Sequence, residues 1–306
     1  MRFHFTITIT AIFLSATSSL ARKCGNTQVP VELLEQAIRF NKQDVNRQTW
    51  GVGVSVQEST HESNRYNLPK TQAINLYMHN IYINQTAEGA YISEEDLQKQ
   101  WRAMNDHYAS TGISFVLKNI THTENKSWAL AIRNGTTELK MKQSLRMGGY
   151  EDLNLYFRVL GRGFFGYCSF PGDYAPNSEG FWQDGCDILY TTYPDGPQTN
   201  YNEGKTATHE TGHWLGLFHT FQGGCRGGDL IDDTPAEETA THGCPATKDT
   251  CRGDMWPGLD PIHNYMDYSY DSCMTEFTPG QAVRIYQSWD RYRNPQTRGP
   301  PTESQN

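Results

Sequence analysis

The eleven-residue segment His209–His219 constrains this chain more than any other feature, because it fits the pattern H-E-x-x-H-x-x-G-x-x-H. On a helix, His209 and His213 lie one turn apart with their Cβ atoms about 5–6 Å from each other, so both imidazoles can bind one zinc ion. His219 reaches the same ion only if the chain turns sharply, which a positive φ at Gly216 allows. Three nitrogen ligands leave a fourth position open, as a catalytic zinc site requires.

Glu210 indicates what such a site does. A water molecule bound to catalytic zinc has its pKa lowered to about 7, and Glu210 is placed to take its proton. A structural zinc normally has four protein ligands and does not need this carboxylate. The alternatives are a structural zinc site and histidines that serve the core or the surface. The motif favours a hydrolase with one catalytic Zn²⁺, held by His209, His213 and His219.

Composition excludes several other classes of protein. The chain has 306 residues with a formal net charge of -8, which argues against nucleic acid or an anionic membrane as a partner. Hydrophobic residues make up 37%, enough for a core. Beyond the N-terminus, no stretch approaches the ~20 apolar residues that span a bilayer. We therefore expect a folded protein with no membrane and no nucleic-acid partner; its oligomeric state stays open.

Residues 1–21 are typical of a signal peptide. Arg2 gives a positive start, an apolar stretch follows, and Ser19–Ala21 ends it with small residues at a cleavage site. The alternative is a buried first strand, because the Phe/Ile/Thr alternation has a period of two. Four N-glycosylation sequons support an extracellular location. The candidate glycosylated residues are Asn84, Asn119, Asn125 and Asn134.

The cysteines suggest an oxidising compartment. Six of the seven lie in the second half of the chain, an even number that is consistent with disulfides. Six cysteines allow 15 pairings, among which the sequence alone does not choose. Cys24 is left over and needs a separate explanation.

Local patterns predict a mixed α+β chain. Helices are expected near Glu32–Lys42, over Ser93–Tyr108 with a capping box at Ser93 and Asp96, over about Glu203–Leu215, and from Thr278 with Pro279 first and Gln281 completing the cap. Strands are expected at Ile74–His79, Ile113–Leu117, Trp128–Ile132, Leu153–Leu160 and Cys186–Tyr190. The predicted boundaries are 1–21 signal peptide, 22–70 pro-segment, 71–292 catalytic domain and 293–306 flexible tail.

A second motif makes a family resemblance visible. Met266, in Asn264–Tyr268, fits the methionine turn that lies beneath the zinc of metzincin peptidases. Gly224-Cys225, Asp232–Pro235, Gly243–Pro245 and Asp249–Cys251 narrow the resemblance to the pappalysin (cytophagalysin) family, and within it to fungal secreted extracellular metalloproteases. This implies a metzincin-like α+β fold: a twisted mixed sheet plus helices above a zinc cleft, and a loop-rich, disulfide-bonded lower subdomain.

The same resemblance implies further roles. Tyr268 would donate to the developing oxyanion, although packing in the cleft wall is an alternative. Disulfides Cys225–Cys251 and Cys244–Cys273 would follow the family pattern, which leaves Cys168–Cys186. Asp229, Asp232 and Thr234 match a calcium-binding stretch of some relatives, so Ca²⁺ is a candidate second ion. Substrate would lie extended along the edge strand of the sheet, expected near Cys186–Tyr190.

Arg22–Asn26 gives the odd cysteine a role, because it resembles the latency peptide of several metzincins. In that peptide a thiolate takes the open zinc position and displaces the water. We therefore expect Cys24 to hold residues 22 to about 70 over the site until they are removed. An intermolecular disulfide or an incidental free thiol is the alternative.

The sequence thus predicts a secreted zinc-dependent endopeptidase that hydrolyses extracellular proteins or peptides through a zinc-bound water. Two other functions remain open at this stage. One is a catalytically inactive zinc-containing binding protein, against which the retained Glu210 argues. The other is a zinc hydrolase that acts on something other than peptides.

Overall fold

The structure, a computed structural model, describes residues 22–50, 71–161, 163–253, 255 and 257–298, so the predicted signal peptide lies outside the described residues. These residues form a five-stranded sheet in the order β2-β1-β3-β5-β4. The strands are β1 (Gln72–Tyr82), β2 (Ile113–Glu124), β3 (Leu153–Arg158), β4 (Gly166–Cys168) and β5 (Cys186–Leu189). All neighbours pair in parallel except β4, which is antiparallel to β5.

Helices cover both faces of the sheet. They are α1 (Val31–Trp50), α2 (Glu94–Tyr108), α3 (Lys126–Ala129), α4 (Thr136–Leu145), α5 (Glu179–Gln183), α6 (Lys205–Trp214), α7 (Gly224–Gly227) and α8 (Pro279–Ser288). Because side chains alternate along β3, Leu155 and Phe157 face the large core shared with α2 and α6, whereas Tyr156 packs against α3 and α4. The predicted mixed sheet with helices is confirmed.

Two helix starts follow the predicted capping chemistry. The Ser93 side chain accepts a hydrogen bond from the amide of Asp96 at the start of α2. Thr278 and Gln281 form a complete capping box at the start of α8, with Pro279 in the first turn. Such caps satisfy amide groups that have no partner within the helix, so they fix where each helix begins.

The second half of the chain is rich in loops and held by disulfides. The structure pairs Cys168 with Cys186, Cys225 with Cys251, and Cys244 with Cys273, the pairing that the resemblance implies. The first bond joins adjacent strands β4 and β5. The second joins α7 to a loop that precedes the methionine turn, and the third joins a loop before that turn to a segment after it.

Three expectations are wrong. Trp128–Ile132 is not a strand, because the Asn125 side chain caps a helical turn by accepting from the Trp128 amide. The edge strand on this side of the sheet is β4 rather than Cys186–Tyr190, since the antiparallel β4 adds outside β5. With only three residues, β4 is too short to show the alternation that identifies a strand in the sequence. Arg293, assigned to the flexible tail, is only 1% exposed and forms a buried ion pair with Asp184.

Candidate active site

Three histidines meet at the end of α6. His209 and His213 lie on that helix, and the chain reverses at Gly216, which has the expected positive φ of 89°, to bring His219 back. The Nε2 atoms of His213 and His219 are 3.1 Å apart. Ligand atoms of the three imidazoles and the thiol of Cys24 all lie within 4.8 Å of one another. The predicted cluster is therefore assembled in the fold.

The imidazoles are oriented and uncharged in the way that metal binding requires. His209 Nδ1 is 2.7 Å from the carbonyl of Tyr265, and His213 Nδ1 is 2.8 Å from that of Leu217. A proton on each Nδ1 leaves Nε2 as a lone-pair donor. Burial lowers the pKa of His213 to about 4 and that of His209 well below its ordinary value. His209 Nε2 is buried without a hydrogen-bond partner, so these residues fit a divalent ion.

Met266 lies beneath the cluster, as expected for a methionine turn. It is fully buried and packs against Gly212 of α6. A Cβ atom at Gly212 would approach the Met266 Sδ to 2.4 Å, so this variable position of the zinc motif needs a glycine. His219 is also supported from the side, because its ring stacks on Phe221 with centroids 4.7 Å apart.

Glu210 projects between α6 and the edge strand. Gly166 of β4 leaves room for it, since a Cβ there would lie 2.5 Å from Glu210 Cγ. Burial raises the pKa of Glu210 to about 8, against the opposing hydrogen bond from Cys24. The Cys24 thiol donates to Glu210 Oε2 at 3.3 Å. The carboxylate and the thiol therefore share the space in front of the histidines.

Residues 22–26 lie along the edge strand. The amide of Phe165 donates to the carbonyl of Lys23 at 2.9 Å, and the amide of Gly25 donates to the carbonyl of Gly166 at 2.8 Å. The Asn26 side chain continues the ladder by pairing with both backbone groups of Cys168. The segment runs parallel to β4. This is strand addition, the mode by which extended peptides bind sheet edges.

Tyr268 contacts this segment next to the three histidines. Its hydroxyl accepts from the amide of Cys24 at 3.1 Å and lies 3.3 Å from Nε2 of His219. It thus faces the reacting space, where an oxyanion stabiliser has to be, as well as lining the cleft wall.

Arg22 occupies a buried pocket next to the cluster. Its guanidinium forms a 2.8 Å ion pair with Asp271 and a hydrogen bond with Thr206, and it lies over the ring of Tyr201. Its neighbour Lys23 is exposed. Arg22 belongs to the predicted latency peptide, but its pairing with Asp271 could not be predicted, because nothing in the sequence joins two residues 249 positions apart.

The three calcium candidates differ in their surroundings. Asp229 and Thr234 are buried, and each has one side-chain oxygen without a hydrogen-bond partner, whereas Asp232 is exposed. Burial raises the pKa of Asp229 to about 8. The buried oxygens are the observation in favour of a cation there.

The sequon asparagines differ in exposure. Asn84, Asn119 and Asn134 are exposed, whereas Asn125 is half-buried and caps α3 through its side chain. No helix of the described residues is both long and apolar enough to cross a bilayer.

Fold and site together define a metallopeptidase, and comparisons with known proteins agree. The sequence profile of the peptidase family described as pregnancy-associated plasma protein-A matches residues 174–290. An extracellular metalloprotease of Colletotrichum graminicola is 51% identical over 225 residues, which cover 73% of this chain and 78% of the relative. An extracellular metalloprotease of Podospora anserina is 40% identical over 300 residues, covering 95% and 98%.

Solved structures give the same result. Mirolysin in complex with a compound is 29% identical with a TM-score of 0.61, covering 72% of this chain and 93% of that one. A promirolysin mutant of Tannerella forsythia is 26% identical with a TM-score of 0.61, covering 87% and 93%. The chain belongs to the pappalysin family of metallopeptidases and is a zinc-dependent endopeptidase. The predicted family is confirmed, and nothing favours the inactive binding protein.

Proposed function

We propose that His209, His213 and His219 hold one zinc ion and that Glu210 is the catalytic base of peptide-bond hydrolysis. The observation that carries this proposal is the convergence of the three imidazoles within 4.8 Å beside a buried carboxylate. Zinc bound there supplies Lewis-acid chemistry, which polarises a carbonyl and lowers the pKa of water.

The protein's own residues move the protons. Glu210 takes a proton from the attacking water and passes it to the amine that leaves. Tyr268 donates its hydroxyl hydrogen to the oxygen on which negative charge develops, and this bond strengthens as the charge grows. The edge strand β4 holds the substrate extended through main-chain hydrogen bonds. The substrates are extracellular proteins or peptides.

Residues 22–70 act as a pro-segment that Cys24 holds in place, so the described structure is that of the latent enzyme. This role of Cys24 is supported by its position, because its sulfur lies within 4.8 Å of the ligand nitrogens of the three histidines and could be the fourth ligand of the ion. Cys24→Ser, which replaces the thiol by a hydroxyl of similar size, is expected to give premature activity in the unprocessed chain. A variant as latent as the wild type would refute the switch.

Export by residues 1–21, glycosylation of the four sequons and a Ca²⁺ ion held by Asp229 and Thr234 complete the proposal. The Ca²⁺ site is supported by the two unpartnered buried oxygens. Added Ca²⁺ should raise the unfolding temperature of the wild type but not that of Asp229→Asn. Equal shifts in the two proteins would show that no Ca²⁺ binds at Asp229.

Release of new amino termini from casein tests the central activity. The active enzyme should release them, a chelator should stop the reaction, and Zn²⁺ should restore it. Activity that survives metal removal would contradict the proposal. Cleavage of esters but not of peptides would instead favour a hydrolase of another substrate class.

A further inference from the structure

Arg133 is a cation of the substrate cleft that lies outside the catalytic group. It follows α3, and its guanidinium donates to the main-chain carbonyl of Gly25. The same guanidinium lies over the ring of Tyr167, 4.7 Å from the centroid. Because Tyr167 belongs to the edge strand, the arginine stands directly above the chain that pairs with it.

The carboxylates near Arg133 already have other partners. Glu138 pairs with Lys142 and Arg158, and Asp187 pairs with the same two cations. Within the described part of the chain, Arg133 forms no ion pair. Its direct contacts are a carbonyl oxygen and the face of an aromatic ring, and its charge also lowers the pKa of Glu210 from a distance. No carboxylate of the described residues binds the guanidinium directly, so it stays available to an anionic group.

Gly25 shows where a substrate side chain would point. A Cβ atom at this position would lie 2.5 Å from an Arg133 nitrogen and 2.8 Å from Tyr167 Cβ. The glycine allows the arginine to close over the segment. Any other residue paired in its place must move the guanidinium aside and also draw its backbone back from Tyr167, and its side chain then points at the guanidinium.

Space for that movement exists on both sides. A polar pocket of 300 Å³ includes Arg133, Tyr167 and Ser169, and an apolar pocket of 430 Å³ includes Arg133, Leu160 and Phe164. The exposed Arg133 can thus turn to a partner without disturbing the core.

We infer that Arg133 and Tyr167 form a subsite for an acidic side chain of the substrate, at the position that Gly25 takes on the edge strand. This inference rests on the proposed function, since it assumes that substrate replaces residues 22–26. Gly25 follows Cys24 directly, so the recognised residue lies within about two positions of the scissile bond. A carboxylate there forms a charge-assisted hydrogen bond with the planar guanidinium.

Matched peptides test this subsite. A series of quenched fluorescent peptides carries one Glu, moved through the positions on both sides of the scissile bond, and each has partners with Gln and with Lys instead. The active enzyme should show one position at which kcat/KM for Glu exceeds that for Gln by about 10-fold. Arg133→Gln should bring this ratio to about 1, and Arg133→Glu should favour Lys there. Arg102→Gln, an exposed arginine on α2, should keep the wild-type ratio.

Two results would overturn the subsite. One is the lack of a Glu preference at every position, and the other is a preference that Arg133→Gln retains at an unchanged unfolding temperature. Failure to cleave any peptide of the series would overturn the proposed function itself, and the subsite with it.

Discussion

The Sδ atom of Met266 fills the space that a side chain at Gly212 would need, because a Cβ there would lie 2.4 Å away. Both residues are buried, so neither can give way freely. This contact locks the methionine turn against the helix that carries His209 and His213. We therefore expect Gly212→Ala to destabilise the fold by about 1–3 kcal/mol and to lower zinc affinity.

Chemical denaturation and metal titration check this expectation. Gly227→Ala is the matched control, because a Cβ at Gly227 would meet nothing within 4 Å. Equal effects of the two substitutions on zinc affinity would show that the contact between helix and turn does not position the ligands.

We expect the buried ion pair of Arg22 and Asp271 to hold the pro-segment in place together with the Cys24 thiol. A peptide of residues 22–30 should inhibit the active enzyme, and replacing its Arg22 by Met should weaken inhibition by about 100-fold, since Asp271 is left buried and unpaired. Replacing the exposed Lys23 should change little. Inhibition constants measure both; similar losses for the two peptides would rule out a specific hold by Arg22.

Arg293 marks where the folded chain ends. Its guanidinium binds Asp184 at 2.9 Å, donates to the carbonyl of Trp214 and lies over the ring of Trp214, which follows His213 in the chain. A chain that stops at Tyr292 should lose about 3–5 kcal/mol of stability compared with one that stops at Arg293, because Asp184 loses a buried partner. Urea unfolding of the two truncated proteins compares their stabilities, and equal midpoints would show that Arg293 does not stabilise the fold.

The ionisation of Asp184 should make the stability of the fold depend on pH. Burial raises its pKa, but Arg293 and Arg146 outweigh burial and hold the pKa below its ordinary value. The folded chain therefore keeps Asp184 ionised at a pH where the unfolded chain binds a proton. This contribution is present above the ordinary aspartate pKa of about 3.9 and is lost as pH falls through the folded value.

Unfolding free energies measured from pH 7 down to about 3 test this dependence. Asp184→Asn should flatten the acid limb of the profile, whereas Asn at the exposed Asp290 should preserve it. An acid limb that keeps its slope in Asp184→Asn would assign the acid sensitivity to other carboxylates.

Sequence patterns were sufficient for the parts of this enzyme that depend on local spacing. One helical turn separates His209 from His213, a glycine reverses the chain at Gly216, and Thr278 and Gln281 close a capping box within four residues. Each is a local rule of backbone geometry or hydrogen bonding, so no knowledge of the fold is needed.

Patterns failed where distant segments decide the outcome. The edge position of β4 depends on the antiparallel addition of three residues to β5, and the pairing of Arg22 with Asp271 joins segments that only the fold brings together. The helical turn at Trp128 depends on a side-chain cap that competes with an apolar run. Gly166 and Gly212 are ordinary glycines in the sequence, and only the neighbours Glu210 and Met266 give them a role.

The substitution Glu210→Gln isolates the proposed catalytic base, because it removes the carboxylate and leaves the three imidazoles in place. With its pro-segment removed, this variant should still bind one zinc ion and should unfold at a temperature no lower than that of the wild type. It should cleave casein at least about 100-fold more slowly. Glu276→Gln, on the exposed surface, should cleave it at the wild-type rate. Cleavage by Glu210→Gln within a few-fold of the wild type would show that Glu210 is not the base of the reaction.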